Sequence, residues 1–281
     1  MTERRKFYGM RNDYMFHAVL QKNEEVLRNL LATLLEMDET EIASCHIENP
    51  IELGKEIEGK ECILDVKLTL NDAKIINIEL QVYKQTYWVE RSLLYWARAY
   101  DNLKSGEDYS KLLPTYHIGI LDFTLFEEHP KFMAQYQLMD VEDQFLYSDK
   151  LCIKVLDLTQ LDAARKQANI NKKLVKWASI FKAETLEELE LLANGEEVFE
   201  KMVVTMKKLS EDEKIRMQCE AREDYERCLL SEFNAGKREG EEIGEKRGEK
   251  RGKEETEKKL VQHLMQSMKL SEADARKMLG I

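Results

Sequence analysis

Proline is almost missing from this sequence: Pro50, Pro114 and Pro130 are the three, and the last 151 residues contain none. Proline breaks helix interiors, so that long stretch is free to be helical. Cysteine offers no framework either. Cys45, Cys62, Cys152, Cys219 and Cys228 are odd in number and form no C-x-x-C pair, which argues against a disulfide scaffold and a zinc finger. No apolar run approaches the roughly 18 residues of a membrane-spanning helix. The densest, residues 30–35, is six long with Thr33 inside. The N-terminus MTERRKFYGM has basic residues but no apolar segment of a secretory signal. These absences predict a cytoplasmic protein with reduced thiols and no membrane partner.

Positive charge is also in short supply. The net charge is −11, and the first 230 residues hold 31 Lys/Arg against 43 Asp/Glu. A protein of that sign does not grip nucleic acid by bulk electrostatics; it needs local basic positions or a cation that bridges like charges. What the chain does have is enough apolar residue, 43%, to bury a sizeable core in one large domain or two modest ones.

The chain divides by pattern. Asn12 or Asp13 can cap a helix over YMFHAVLQ, and Val26, Leu27, Leu30, Leu31, Leu34 and Leu35 repeat at helical spacing. Residues 62–70 (CILDVKLTL) and 75–83 (IINIELQVY) alternate with a period of two and read as strands. A helix over 87–104 follows, then an apolar strand over 117–123 and a further strand near 151–158. This order predicts an α/β domain over 1–160. Helices alone are expected over 161–235, near 170–182, 185–194, 196–209 and 212–234.

Residues 236–255 repeat every four residues, with Gly236, Gly240, Gly244, Gly248 and Gly252 in step. Each glycine costs a helix about 0.8–1 kcal/mol relative to alanine. The Glu and Lys/Arg between them return a few tenths per i,i+4 pair. The segment reads either as a solvated, marginal helix or linker, or as a helix whose glycine stripe admits a second helix. Residues 256–281 read as two short amphipathic helices with Ser271 capping the second.

The two strands hold the most informative pattern. Even positions are apolar on both: Cys62, Leu64, Val66, Leu68 and Leu70 on the first, Ile76, Ile78, Leu80 and Val82 on the second. The odd faces, with Asp65 and Lys67 on one strand and Asn77, Glu79 and Gln81 on the other, must therefore lie together. Matching faces require a three- or five-residue loop. With Asn71-Asp72-Ala73 as the loop, Asp65 lies opposite Glu79 and Lys67 opposite Asn77. Directly opposed carboxylates have Cβ atoms about 4.5–5.5 Å apart and repel unless one protonates or a cation sits between them. Mg²⁺ suits an all-oxygen site, and no His/Cys cluster competes for a softer metal. The plain alternative is a solvated polar face.

At these residues the sequence resembles the PD-(D/E)XK nuclease superfamily, whose signature D…E-x-K/Q is similar to ILDVKLTL…IINIELQVY. Within it the chain resembles the Rpn family of recombination-promoting nucleases and transposases. The further matching pieces are N-D-Y-M-F at 12–16, R-S-L-L-Y-W-A-R-A-Y at 91–100, G-E-D-Y-x-x-L-L-P-T-Y-H-I-G-I-L-D-F at 106–123, and the glycine tetrads before a terminal helical pair. The resemblance implies a mixed sheet flanked by helices, followed by a helical C-terminal region. It implies that Asp65 and Glu79 bind the metal, with Asp13 a further acidic member or a helix cap. The signature's lysine falls on Gln81, which can orient a water but carries no charge; Lys67 on the same face is the candidate for the missing cation.

Arg91, Tyr95 and Arg98 share one helix face, either to contact phosphates or to pack against an acid of the sheet. Together these features predict a Mg²⁺-dependent DNA endonuclease, with Mn²⁺ able to substitute, acting as a homo-oligomer formed through the C-terminal region. The rival is an inactive nuclease-like interaction protein that self-associates through the same tail.

Overall fold

The computed structural model describes residues 6–51, 53 and 66–281. The chain packs into two compact units, residues 1–224 and 225–281.

The first unit is built on a mixed six-stranded sheet among the described residues. Its strands are β1 (Cys45–Ile47), β2 (Val66–Leu70), β3 (Lys74–Gln81), β4 (Thr115–Leu121), β5 (Met133–Met139) and β6 (Leu146–Asp157), in the order β1-β2-β3-β4-β6-β5. β2 and β3 form the expected antiparallel hairpin. Val66 faces Ile78 and Lys67 faces Asn77, with Asn71, Asp72 and Ala73 as the loop. The loop closes tightly because Asn71 and Asp72 both take left-handed backbone, each with φ of 51°. These are the residue types whose short polar side chains tolerate it. The Asn71 side chain fixes the turn further, accepting from the Ala43 and Ser44 amides at 2.8 and 3.0 Å.

β3 and β4 run parallel, which a tight turn cannot connect. The crossover is helix α3 (Trp88–Tyr100), which packs on β3 and β4. β4 also runs parallel to β6, and β5 closes the sheet as an antiparallel edge.

The opposite sheet face carries the main core. Ile76, Ile78 and Leu80 of β3 join Ile118 and Ile120 of β4 and the apolar faces of α1 (Asp13–Lys22) and α2 (Glu24–Leu35). α1 is buried along its length from Asp13 to Leu20. Its cap is Asn12, whose side chain accepts from the Met15 amide at 3.1 Å. The same core takes in α4 (Leu161–Ala164), α5 (Lys172–Lys182), α6 (Leu186–Ala193), α7 (Glu197–Glu211) and the start of α8 (Glu213–Met268) at Ile215 and Cys219. Helices α4 to α7 and the start of α8 thus share one core with the sheet. Trp177 illustrates the connection: its indole N–H donates to Asn29 of α2 at 2.9 Å.

In the second unit α8 continues without a break through all five tetrad glycines to Met268. The glycines face open space, and Lys246 pairs with Glu242 one turn away at 2.6 Å. The last element, α9 (Glu272–Leu279), is capped by Ser271 as its sequence suggests and ends at Gly280 in left-handed backbone. Ala275 and Val261 are buried within this unit, while Leu229, Phe233, Leu260, Met268, Met278 and Ile281 stay exposed. Among the described residues no helix is long and apolar enough to cross a membrane.

Candidate active site

Asn77 and Glu79, the polar odd positions within β3, do not face water. They lie beneath α3, so both faces of the central strand are covered and every residue from Ile75 to Leu80 is buried. Alternation in the sequence marks a polar face; the crossover helix is what buries it. Parallel pairing sets Asn77 beside His117 and Glu79 beside Gly119. Gly119 is required by close approach: a Cβ there would lie 2.3 Å from Cζ2 of the buried Trp88. The glycine lets the first turn of α3 lie flat on the sheet, and three residues later that turn delivers Arg91.

Arg91 is the centre of the polar cluster. Its Nη2 forms an ion pair with Glu79 Oε1 and donates to Gln81 Oε1 at 2.9 Å. The guanidinium carbon lies 5.7 Å from the centre of the Tyr95 ring. The other Glu79 oxygen is 3.4 Å from Nε2 of His117, which is fully buried. The Asn77 amide nitrogen lies 3.2 Å from His117 Nδ1. The imidazole thus sits between the Asn77 amide on one side and the Glu79 carboxylate on the other. Tyr95 and Trp88 border the imidazole, with ring centres 6.4 and 5.8 Å away.

Glu79 is 2% exposed. Burying a carboxylate is expensive unless a counter-charge accompanies it, and Arg91 is that counter-charge. Arg91 covers one oxygen of Glu79, and the His117 imidazole lies beside the other.

The remaining sequence candidates are distributed as follows. Asp65, expected opposite Glu79, lies outside the described residues. Lys67 takes the predicted register but points its charge to Glu48, at 2.8 Å, and is not in contact with Gln81. Burial pushes the Glu48 carboxyl up, but hydrogen bonds from Lys67 and Thr69 outweigh it and hold it below the usual range. Asp13 occupies the first turn of α1, and Arg222 grips it with Nε at 3.0 Å from Oδ2. Tyr95 belongs to the cluster, whereas Arg98 is exposed further along α3. Of the two readings of the α3 face, packing against a sheet acid is what Arg91 does.

Sequence reasoning did not find His117, Trp88 or Asp122. Asp122 follows β4, donates its amide to the Gln81 carbonyl at 3.0 Å, and has its carboxylate held by Arg11 and Lys182. The alternation His117, Gly119, Leu121 within an apolar strand was the available signal for the first. Among the described residues no group of three His, Cys, Asp or Glu side chains is placed to hold a metal ion. The described donor is Glu79, an oxygen ligand of the kind a hard divalent cation takes.

Residues 10–233 match the PD-(D/E)XK nuclease family transposases. Neither the curated proteins nor the solved structures compared include a match. The match spans the six described strands and the helices packed around them, and Glu79 and Gln81 lie within it on β3 beneath α3. This chain belongs to the PD-(D/E)XK nuclease family transposases.

Proposed function

We propose that this protein is a Mg²⁺-dependent DNA endonuclease, with Mn²⁺ able to substitute, that hydrolyses phosphodiester bonds at a site holding Glu79 and Asp65. The observation that carries the reading is Glu79 itself: a carboxylate buried under a helix and paired with Arg91, at the position where the sequence resembles the nuclease signature. An ordinary solvated hairpin face would leave that residue in water. The acidic chain, at −11, also needs a cation to approach a polyanion.

When bound, a divalent ion supplies a water of lowered pKa and neutralises charge on the scissile phosphate. Glu79 and Asp65 would hold it through carboxylate oxygens. His117 would support the Glu79 carboxylate from beside it, with Nε2 3.4 Å from one oxygen and Asn77 3.2 Å from the other ring nitrogen. Trp88, packed against Gly119, excludes water from the rear of the cluster. Gln81, at the open end of β3, orients a water or a phosphate oxygen. Free thiols at Cys45, Cys152, Cys219 and Cys228 accord with action in the reducing cytoplasm.

The second unit completes the proposal as a self-association surface. Leu260, Met268, Met278 and Ile281 remain exposed on a helical pair that buries few of its own apolar residues. A second copy would cover them, and twofold pairing would bring two sites to one duplex.

Supercoiled plasmid tests the activity. Conversion to nicked or linear DNA in Mg²⁺, its loss in EDTA, and its loss in folded Glu79→Ala and Asp65→Ala variants are the expected results. Full activity in either variant would remove that residue from the site.

A further inference from the structure

The E-x-Q motif of this chain lacks the positive charge that a lysine would bring, and the sequence offers Lys67 as its replacement. The structure assigns the charge elsewhere. We propose that Arg91, from helix α3, is the catalytic cation of the site, an inference that rests on the nuclease reading above.

The geometry is specific. Lys67 is turned to Glu48 at 2.8 Å, and Glu48 is also held by the Thr69 hydroxyl. Arg91 instead reaches both members of the motif with one guanidinium nitrogen, pairing with Glu79 and donating to Gln81 at 2.9 Å. Its side chain is 23% exposed, against 41% for Lys67, so its charge is the less screened by water. The Tyr95 ring beneath the guanidinium and the Trp88–Gly119 contact at the start of the helix limit where it can go. The strand thus supplies the acceptors, and the crossover helix supplies the cation.

Gln81 has a definite part in this arrangement. Its carbonyl oxygen accepts from Arg91, which leaves the amide nitrogen to donate outward. A lysine at residue 81 would place a second cation against Arg91, so glutamine at the motif's last position and arginine on α3 are complementary choices.

Two states follow from the charges. Without a bound cation, Arg91 neutralises the buried Glu79. A divalent ion held by Glu79 would take over that neutralisation, and the Arg91 guanidinium would then be available to the scissile phosphate. In the hydrolysis, the bond from water oxygen to phosphorus forms and the bond from phosphorus to the leaving sugar oxygen breaks. One water proton passes to solvent, and the leaving oxygen takes a proton from solvent. Arg91 stays protonated throughout and stabilises the charge that develops on phosphate and leaving oxygen.

The test measures Mn²⁺ affinity by calorimetry alongside plasmid cleavage, on full-length protein whose folding is checked by circular dichroism. Arg91→Ala should bind Mn²⁺ at least as tightly as wild type, because a competing cation is gone, yet cleave on the order of 100-fold more slowly. Gln81→Lys added to Arg91→Ala, which returns a charge from the strand, should recover about tenfold or more of that loss. If Arg91→Ala does not fold, Arg91→Gln, which keeps a hydrogen bond to Glu79 without the charge, carries the same expectation. A folded neutral variant that cleaves within about threefold of wild type overturns the proposal and leaves the nuclease reading intact. Loss of Mn²⁺ binding together with cleavage also overturns it, showing Arg91 to be a structural support of Glu79. Wild-type protein that neither binds Mn²⁺ nor cuts DNA refutes the nuclease reading itself, and this one with it.

Discussion

Adding one methyl group at residue 119 should disturb both the stability and the chemistry of the protein. A Cβ on Gly119 would lie 2.3 Å from Trp88 Cζ2, 2.9 Å from Cη2 and 3.3 Å from Cε2. Carbon atoms pack at about 3.5–4.0 Å, so the indole must retreat by more than about 1 Å. Trp88 is buried in the smaller core with Leu121, Phe123, Ile153 and Val155, and has no free space to rotate into. The helix must lift instead. Overpacking of this kind costs about 1–3 kcal/mol, and the lower chain entropy of alanine returns about 0.4–1 kcal/mol. The net loss is about 1–2 kcal/mol, or roughly 2–8 °C in Tm for a unit of this size.

Lifting α3 also withdraws Arg91 from Glu79, so cleavage should fall more than stability alone explains. Thermal unfolding and plasmid cleavage on Gly119→Ala measure the two effects. Trp88→Leu should destabilise the wild type but be better tolerated in the Gly119→Ala background, a coupling of about 0.5–3 kcal/mol for residues in contact. A Gly119→Ala protein with wild-type Tm and activity would refute the close-approach argument.

Three other outcomes follow. Asp13→Asn and Arg222→Ala each break a partly buried ion pair, with side chains 12% and 28% exposed, and should cost about 1–3 kcal/mol in denaturant unfolding. Loss of metal-dependent cleavage in folded Asp13→Asn but not in Arg222→Ala would instead place Asp13 among the ligands. Burial, with the Asp13 carboxylate nearby, pushes the Cys219 thiol from its ordinary 9.0 up to about 12. Its neutral form is favoured in the folded state, so the stabilisation is complete below about pH 9 and is lost as pH rises towards 12. Cys219→Ala should make the alkaline decline in stability shallower; an unchanged pH profile would contradict this. A chain ending at Asn234 should scatter light as a monomer with the Tm of the first unit kept, while the full chain scatters as a dimer. Equal masses per chain would remove the tail as the association surface.

The hairpin was legible because side-chain alternation and loop length constrain each other. Even-numbered apolar positions on both strands and the left-handed tolerance of Asn71 and Asp72 leave the register with Lys67 opposite Asn77. What lies over a strand is not written in its own alternation. Polar residues at 77 and 79 look the same whether water or a helix covers them, and only the β3-α3-β4 crossover buries Glu79. For the same reason Lys67 looked like the nearest cation to Gln81, while the actual partner arrives from a different element.

β1 is three residues long and β5 is a half-exposed edge strand, too short and too irregular to leave a period. The tetrad segment runs as helix although its glycines make local propensity poor, since the charged pairs beside them add some support. The resemblance read from the motifs names the same nuclease superfamily as the family match over residues 10–233.

Crystals soaked in Mn²⁺ and measured at the manganese absorption edge test the central claim most directly. The account predicts an anomalous peak bonded to carboxylate oxygens of Glu79 and Asp65, with the Arg91 guanidinium displaced from Glu79. An empty site with Arg91 still paired to Glu79 at saturating Mn²⁺, or a peak bound elsewhere on the chain, would contradict it.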